Sequence, residues 1–385
     1  KTPLHEISPT TSIYQLGLDS ISAVQIAAAL RKQGHIVIAT DVLKYTTCAE
    51  LAEHVERTST VDAPATPVFD FDNFERNHRT QILDDHNIKH GDVIAIRPCT
   101  PLQEGMISQF LAKEGSVYMN HVRLQLELGV DLNRLETTWT ATMARHSMLR
   151  TGFAHVKDLL YSFAMVEYKP NSVTPQWSMT REGDVSDPLD AWLEKARSKA
   201  LNKLHLPPWK IRVVRDSSHC CLDLVIFHAI FDAQSLQLIF SDVTAVYHER
   251  ALLPLRPLDP VIGCIIRSND QDSKSSDKFW TDLGKVANPS KFPNLAPLRY
   301  DARSPLVCTR SSVHSLPDLE IGCRTASITL QAAGIASWLS LLAAYTGESS
   351  VTCGVVLSGR SFEAAEGAVF PCINTVPFAF KIAED

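Results

Sequence analysis

Two short stretches of the chain carry residue types at spacings that could do chemistry. The first is Gly17-Leu18-Asp19-Ser20-Ile21-Ser22-Ala23, an acidic residue and a serine where an amphipathic stretch begins. A hydroxyl there can take a covalent arm, and it can equally serve as a helix N-cap, since a serine oxygen accepts from the backbone N–H groups of a first turn. The second is Phe227-His228-Ala229-Ile230-Phe231-Asp232-Ala233, where an apolar run ends on one histidine with an aspartate four residues later. Imidazole ordinarily titrates near cellular pH, which suits it to accept and return a proton. A lone histidine after such a run can also be a satisfied core residue. The presence of Asp232 on the same loop is what favours the chemical reading. A tether and a proton acceptor together imply acyl transfer to or from a held substrate.

The elements that position these groups follow from periodicity. Ser20 can cap a helix over Ile21–Gln33 with Val24, Ala27, Ala28 and Leu30 inward and Gly34 ending it, and a short helix follows near Cys48–Val55. The run from Thr58 to Pro67 has the Pro, Ser, Thr and Ala character of an extended connector, and marks a domain boundary. The charged stretch Asp70–Gly91 reads as a surface cover or a short docking helix. Val122, Leu124, Leu126 and Leu128 alternate with polar residues as in a strand with one wet face. Asp131 caps a helix that turns Leu132, Leu135, Trp139 and Met143 inward. Cys220–Phe227 is apolar apart from Asp223, the pattern of a strand covered on both faces, and it delivers His228 at its end. Leu236, Ile239, Phe240 and Val243 then mark a helix reaching Tyr247. The Pro-rich run Leu252–Pro260 separates two lobes, the second holding a helix over Ile328–Tyr345 and a strand over Val351–Leu357.

Composition bounds the possibilities. A chain of 385 residues predicts two or three folded units, and 45% hydrophobic with 21% charged residues is an ordinary globular balance. The net charge of -6 offers no basic face for nucleic acid. Nine cysteines, odd in number and never spaced as CxxC, argue against a disulfide framework or a zinc site and fit a reducing cytosol. The first residues lack an apolar core and a cleavage signal, and Thr329, Gln331, Ser337 and Ser340 interrupt the most apolar window, which reads as a helix buried in a large core. Cytoplasmic location, with no membrane partner and no metal, is the expectation.

These motifs resemble a known pair of domains. Residues 7–57 look like a peptidyl carrier domain of nonribosomal peptide synthetases, with Ser20 at the phosphopantetheine position and the family's first helix missing upstream. The resemblance implies 4'-phosphopantetheine covalently on Ser20, placed there by a phosphopantetheinyl transferase, and a terminal thiol that carries an acyl or aminoacyl thioester. Ile226–Ser235 resembles the HHxxxDG motif of condensation domains, with His228 at the catalytic second histidine, Phe227 in place of the first and Ala233 in place of the glycine. The alanine is expected to strain or crowd the site by roughly 1 to 2 kcal/mol if that position needs a left-handed backbone or a close approach by substrate. Arg97-Pro98-Cys99-Thr100-Pro101-Leu102-Gln103-Glu104-Gly105-Met106 is similar to the family's opening motif. Arg145–Phe153 is similar to RHxxLRTxF, and Phe370–Pro377 to the later motif centred on Asn374-Thr375.

The resemblance makes Asp232 structural, held by an arginine expected at Arg360, although Arg360 reads equally as a solvated surface residue. It gives Arg145 and Arg150 the task of bracing the loop or the strand that bears it, and counts Asn374 among the supports. The implied architecture is an α/β (α+β) two-lobed chloramphenicol acetyltransferase-like condensation domain behind a small all-α carrier bundle. His228 is expected at the floor of a cleft. The expected boundaries are 1–58 for the carrier, 59–92 for the linker, 93–255 for the N-terminal lobe and 256–385 for an incomplete C-terminal lobe. Pro98–Met106 and Gly354–Pro377 are also similar to fungal siderophore synthetases. Other carrier and adenylation domains of one assembly line are the implied partners. Alternatives within the family are a terminal domain that cyclises or oligomerises its chain, and a silent domain that only recruits partners. A freestanding coenzyme A acyltransferase of the same fold is disfavoured by the attached carrier.

Overall fold

The computed structural model describes residues 7–16, 18, 22, 23, 26, 27, 29, 30, 33–35, 37, 39–58, 69–181, 187–270, 273–287, 309–360 and 362–381. The chain divides into two units, one of Lys1–Ala65, Asp272–Glu363 and Asn374–Asp385, the other of Thr66–Gln271 and Ala364–Ile373.

The first unit begins with a small helical cluster. Ser22, Ala23, Ile26, Ala27, Ala29 and Leu30 are helical, and α1 (Ala39–Lys44) and α2 (Cys48–Thr58) follow. Ile13, Ala23, Ala27, Val37, Val42 and Val55 form its core, with Leu18 and Leu30 packed at the edge. Ser20, Asp19 and Gly17 lie outside the described residues, as do Val24 and Ala28. Gly34 takes φ +90°, a backbone that suits the end of the expected helix.

The second unit carries the chemistry. α3 (Phe71–Asp85) starts on Asp70, whose carboxylate accepts the Asn73 N–H, and buries Phe74, His78, Ile82 and Leu83. Read from sequence as part of a connector, this stretch is a core helix. Phe74, Ile82 and Leu83 share one core with Val93, Ile96, Ala164 and Val166 of a three-stranded antiparallel sheet, ordered β1 (Val93–Pro98), β4 (Phe163–Tyr168), β3 (Thr151–His155). α4 (Pro101–Ala112) follows β1. A second sheet runs β2 (Met119–Leu126), β7 (Cys220–Phe227), β6 (Trp209–Arg215), β5 (Trp177–Arg181), with only β5 and β6 parallel.

Helices cover both faces of this sheet, which is why β7 is apolar at nearly every position. On one face Trp192, Leu193 and Ala196 of α6 (Leu189–Asn202) pack on Val225. On the other, Trp139 of α5 (Leu132–Arg145) lies 5.9 Å from the Trp209 ring and 6.3 Å from Phe240 of α7 (Ala233–Tyr247). α5 has the expected N-cap, with Asp131 accepting from Asn133 and Arg134, and buries the expected Leu132, Leu135, Trp139 and Met143. Gly152 in β3 is required by close approach: a Cβ there would stand 2.0 Å from the His205 carbonyl oxygen. α8 (Leu258–Asp270) belongs to this unit too, buried at Val261 and Ile262 and held by an ion pair between Arg97 and Asp259.

The remaining elements, α9 (Ser273–Val286), α10 (Leu316–Thr325), α11 (Leu330–Thr346), β8 (Ser350–Leu357) and β9 (Asn374–Lys381), lie in the first unit. β8 and β9 pair antiparallel. α11 was expected to be buried all round. Only one face is: Leu339, Leu342 and Ala343 pack on Val351, while Leu330, Trp338, Leu341 and Tyr345 stand exposed. Among the described residues no single helix is long and apolar enough to cross a membrane.

Candidate functional site

β7 ends at Phe227, and one tight helical turn, His228–Ile230, carries the chain to α7. Phe227 is buried, with its ring 4.7 Å from Phe110 of α4 and 6.0 Å from Phe153 of β3. An apolar side chain in place of the family's first histidine therefore simply packs. The His228 backbone N–H donates to the Tyr118 carbonyl at 2.8 Å, which fixes the residue against the start of β2.

The imidazole is held by two further contacts. Nδ1 lies 2.9 Å from the Phe231 carbonyl oxygen, and the ring stacks on the Phe231 ring at 4.8 Å with 22° between planes. A carbonyl oxygen can only accept, so the neutral ring carries its proton on Nδ1 and presents Nε2 as a lone pair. The ring is half-buried. It has the form of an aimed proton acceptor.

Asp232 is buried and caps α7. One carboxylate oxygen accepts from the Ser235 N–H and the Ser235 hydroxyl, both at 2.7 Å, and the other accepts the Cys372 N–H at 3.0 Å. The Phe370 N–H donates to the Ser235 hydroxyl oxygen at 3.0 Å, and that hydroxyl lies 2.9 Å from the Phe370 carbonyl oxygen. Asp232 and Ser235 thus clamp Phe370–Cys372 to the head of α7. Ala233 is the first residue of α7, exposed and absent from the left-handed backbone positions. The strain expected of it does not arise, because a helix start accepts alanine without cost.

The other expected supports are dispersed. Arg145 donates from Nε to Asp242 of α7 at 2.7 Å and bonds the Leu253 carbonyl, bracing the helix after the loop. His146 shares Asp242 at 2.9 Å, and burial pushes its imidazole below its ordinary value. Arg150 reaches neither the loop nor β7. It bonds Glu167 at 3.0 Å and the Tyr168 carbonyl, on β4, where Arg97 meets the same carboxylate at 2.6 Å. Two arginines flank one buried glutamate there, which compensates the cost of burying its charge. Arg360 is 4% exposed, so it is not the solvated surface residue that one reading allowed. Asn374 is exposed at the head of β9, opposite Leu357. In the later motif it is Phe370 and Cys372 that bond the residues of the loop.

β7 is pinned to both neighbouring strands by one carboxylate. Asp223, fully buried, accepts from His121 at 2.8 Å, Arg123 at 2.7 Å and Arg212 at 3.0 Å. Burial alone would raise its pKa; hydrogen bonds from Arg123, His121 and Arg212 outweigh that and hold it down at about 2. A depressed carboxylate stabilises the fold above its unfolded pKa of about 3.9 and loses that contribution as pH falls through the folded value. Urea midpoints should therefore drop between about pH 4 and about pH 2, and Asp223→Asn should flatten that slope.

Sequence reasoning missed Gln103. Its side chain is buried, with Oε1 accepting the Thr100 N–H at 3.0 Å and Nε2 donating to the Ala229 carbonyl at 2.9 Å. The Thr100-Pro101-Leu102-Gln103 spacing is a capping-box signature and could have flagged it as the start of α4.

Among the described residues the eight cysteines are unbridged by disulfides. Among the described residues no group of His, Cys, Asp or Glu side chains could hold a metal ion.

A sheet with helices on both faces, a half-buried histidine at a strand end and a small helical cluster with a core of its own are what a carrier-linked acyltransferase requires. Residues 93–385 match the family described as "Condensation domain" and residues 1–55 match "Phosphopantetheine attachment site", so the chain belongs to the condensation-domain family with a carrier domain ahead of it. It is 61% identical to "Nonribosomal peptide synthetase 2" of Cochliobolus heterostrophus over 100% of this chain and 7% of that protein. It is 28% identical to the "Hydroxamate-type ferrichrome siderophore peptide synthetase" of Schizosaccharomyces pombe over 99% of this chain and 8% of that protein. The first condensation domain of the calcium-dependent antibiotic synthetase shares the fold, with a TM-score of 0.58 at 18% identity over 75% of this chain and 71% of that one. The chain is a carrier and condensation pair of a nonribosomal peptide synthetase, and spans under a tenth of the length of these two curated relatives.

The covalent cofactor of such a carrier is 4'-phosphopantetheine. The described residues fit it: the Leu18 N–H donates to the Ile13 carbonyl at 3.0 Å, and helix resumes by Ser22.

Proposed function

We propose that this chain condenses an acyl or aminoacyl group, tethered as a thioester, with an amine or hydroxyl nucleophile to give an amide or ester, and that Ser20 is the attachment residue. The observation that carries the reading is the His228 Nδ1 contact to the Phe231 carbonyl, which leaves Nε2 as the open acceptor. When bound, the cofactor supplies a swinging thiol, converting an encounter between separate molecules into one within a single assembly. His228 Nε2 accepts the proton that the attacking amine or hydroxyl sheds as its bond to the acyl carbon forms. It then returns that proton to the sulfur as the carbon–sulfur bond breaks. Asp232 takes no part in that transfer. It holds the loop end and the Phe370–Cys372 segment.

Siderophore assembly is the proposed context, supported by the ferrichrome synthetase likeness and by motifs similar to fungal siderophore synthetases. A phosphopantetheinyl transferase and the adenylation and carrier domains of one assembly line are the proposed partners, in a cytoplasm whose reducing conditions suit cysteines that, among the described residues, form no disulfide. The 1–58, 59–92, 93–255 and 256–385 division is the functional proposal, and within its 59–92 segment α3 packs on β1 and β4. Intact-protein mass spectrometry after incubation with coenzyme A and a phosphopantetheinyl transferase tests the tether. A gain the size of one phosphopantetheine is expected, absent in Ser20→Ala. The same gain in that variant would move the attachment elsewhere.

A further inference from the structure

We infer that Gln103 is a positioning residue for His228, acting through the carbonyl of Ala229. This rests on the reading of His228 Nε2 as the proton acceptor. Gln103 lies in the third position of α4, and its side chain is completely buried. At one end its Oε1 accepts the Thr100 N–H at 3.0 Å and faces the Thr100 hydroxyl at 3.3 Å, closing the cap of α4. At the other end Nε2 donates to the Ala229 carbonyl at 2.9 Å and lies 3.4 Å from the Met165 sulfur.

The orientation of this amide follows from chemistry. Rotated by half a turn, it would set NH2 against the Thr100 N–H and its oxygen against the Ala229 carbonyl, two contacts with no donor–acceptor match. The two ends have separable tasks. Capping needs only an acceptor, so glutamate would cap α4 as well as glutamine does. Only glutamine also supplies a donor to Ala229. The presence of an amide at this position is accounted for by its second end.

That second end bears on the imidazole directly. Ala229 follows His228 in the tight turn, whose ends are fixed by the His228 N–H on Tyr118, by the Phe231 N–H on the His228 carbonyl at 3.3 Å and by the cap on Asp232, none of which holds the Ala229 carbonyl. Without Gln103 the buried Ala229 carbonyl loses a donor and the middle of the turn is free to rotate. The peptide plane joining Ala229 to Ile230 carries that carbonyl; as it turns, the chain leading into Phe231 shifts, and the contact from Nδ1 to the Phe231 carbonyl has to follow. Phe110 of α4 packs on Phe227 from the same helix, so α4 holds the histidine turn on both sides.

The test uses the intact chain, its carrier loaded with acetyl-phosphopantetheine from acetyl-coenzyme A as donor probe and glycyl-N-acetylcysteamine as acceptor probe. Gln103→Leu should lower kcat by roughly 10²-fold with little change in KM, as expected when a reacting group is misplaced by about 1 Å. Gln103→Glu should keep the cap of α4 yet set a carboxylate against the Ala229 carbonyl. Its kcat should be depressed at pH 8, and the ratio of variant to wild-type kcat should climb as pH falls and the introduced carboxyl regains an O–H donor. A role confined to stability would leave that ratio flat.

His228→Ala, measured in parallel, separates the two ideas. Normal turnover in His228→Ala defeats the reading of His228 itself. An inactive His228→Ala beside Gln103 variants with wild-type kcat and pH profile defeats only the present inference. Should Gln103→Leu fail to fold, Gln103→Glu decides alone, and loss of fold in both assigns Gln103 to stability and overturns the positioning role.

Discussion

Replacing His228 by alanine should lower condensation by roughly 10²- to 10⁴-fold, the range removed when a positioned proton acceptor is lost. The size follows from geometry: one nitrogen is committed to the Phe231 carbonyl at 2.9 Å, so the whole capacity for proton transfer sits on the other. Alanine removes both and leaves a hole beside the Phe231 ring, which stacks on the imidazole at 4.8 Å. Loading of the carrier should be untouched, because it needs only the first helical cluster. Product formed per loaded carrier, counted by mass spectrometry, checks both halves of this expectation. A His228→Ala chain that loads normally and forms product at the wild-type rate removes His228 from the mechanism.

Asp232→Ala should have the largest effect on stability. Loss of the α7 cap costs about 1 kcal/mol, and the buried Cys372 N–H left without its acceptor adds about 1–3 kcal/mol, while the Ser235 hydroxyl keeps the Phe370 carbonyl. The sum, roughly 2–4 kcal/mol, is a large share of the stability of an ordinary domain. Asp232→Asn should fall between: it keeps an oxygen for Ser235 but turns an amide toward the Cys372 N–H, where an acceptor stood at 3.0 Å. Urea unfolding followed by tryptophan fluorescence measures the ranking. Equal midpoints for wild type and Asp232→Ala would show that the clamp on Phe370–Cys372 contributes nothing. Activity should fall with stability in Asp232→Ala, since Asp232 directly follows Phe231, whose carbonyl orients the imidazole.

What the sequence disclosed and what it hid divide along a physical line. Local periodicity and end signals were legible. Cys220–Phe227 is β7 to the residue, and Asp131 caps α5 over the expected inward face. His228 stands at the strand end, where an apolar run gives way to a turn. Long-range hydrogen bonds were not legible. Gln103 meets Ala229 across 126 positions, and no periodicity links them. The clamp by Asp232 and Ser235 engages backbone groups of Phe370 and Cys372, which every residue possesses and no motif advertises.

Motif matching erred where it stood in for geometry. Ala233 was charged with strain because a glycine occupies its place in the motif, yet the first position of a helix puts no such demand on the backbone. The resemblance gave Arg145 and Arg150 one task, bracing the loop or the strand that bears it, but α5 ends between them and the side chains part, one to α7 and the other to β4. α3 was read as a connector because charged and amide side chains outnumber the few that bury it, Phe74, Ile82 and Leu83.

The most direct test of the account is the protonation state of one ring. In the intact chain labelled with ¹⁵N at histidine, with His228 assigned by the signal that vanishes in His228→Ala, NMR at a pH where the ring is neutral should show the proton on Nδ1 and a bare Nε2. A ring protonated on Nε2 instead would leave the incoming nucleophile facing a donor, and contradict the assignment of that nitrogen as the group that takes its proton.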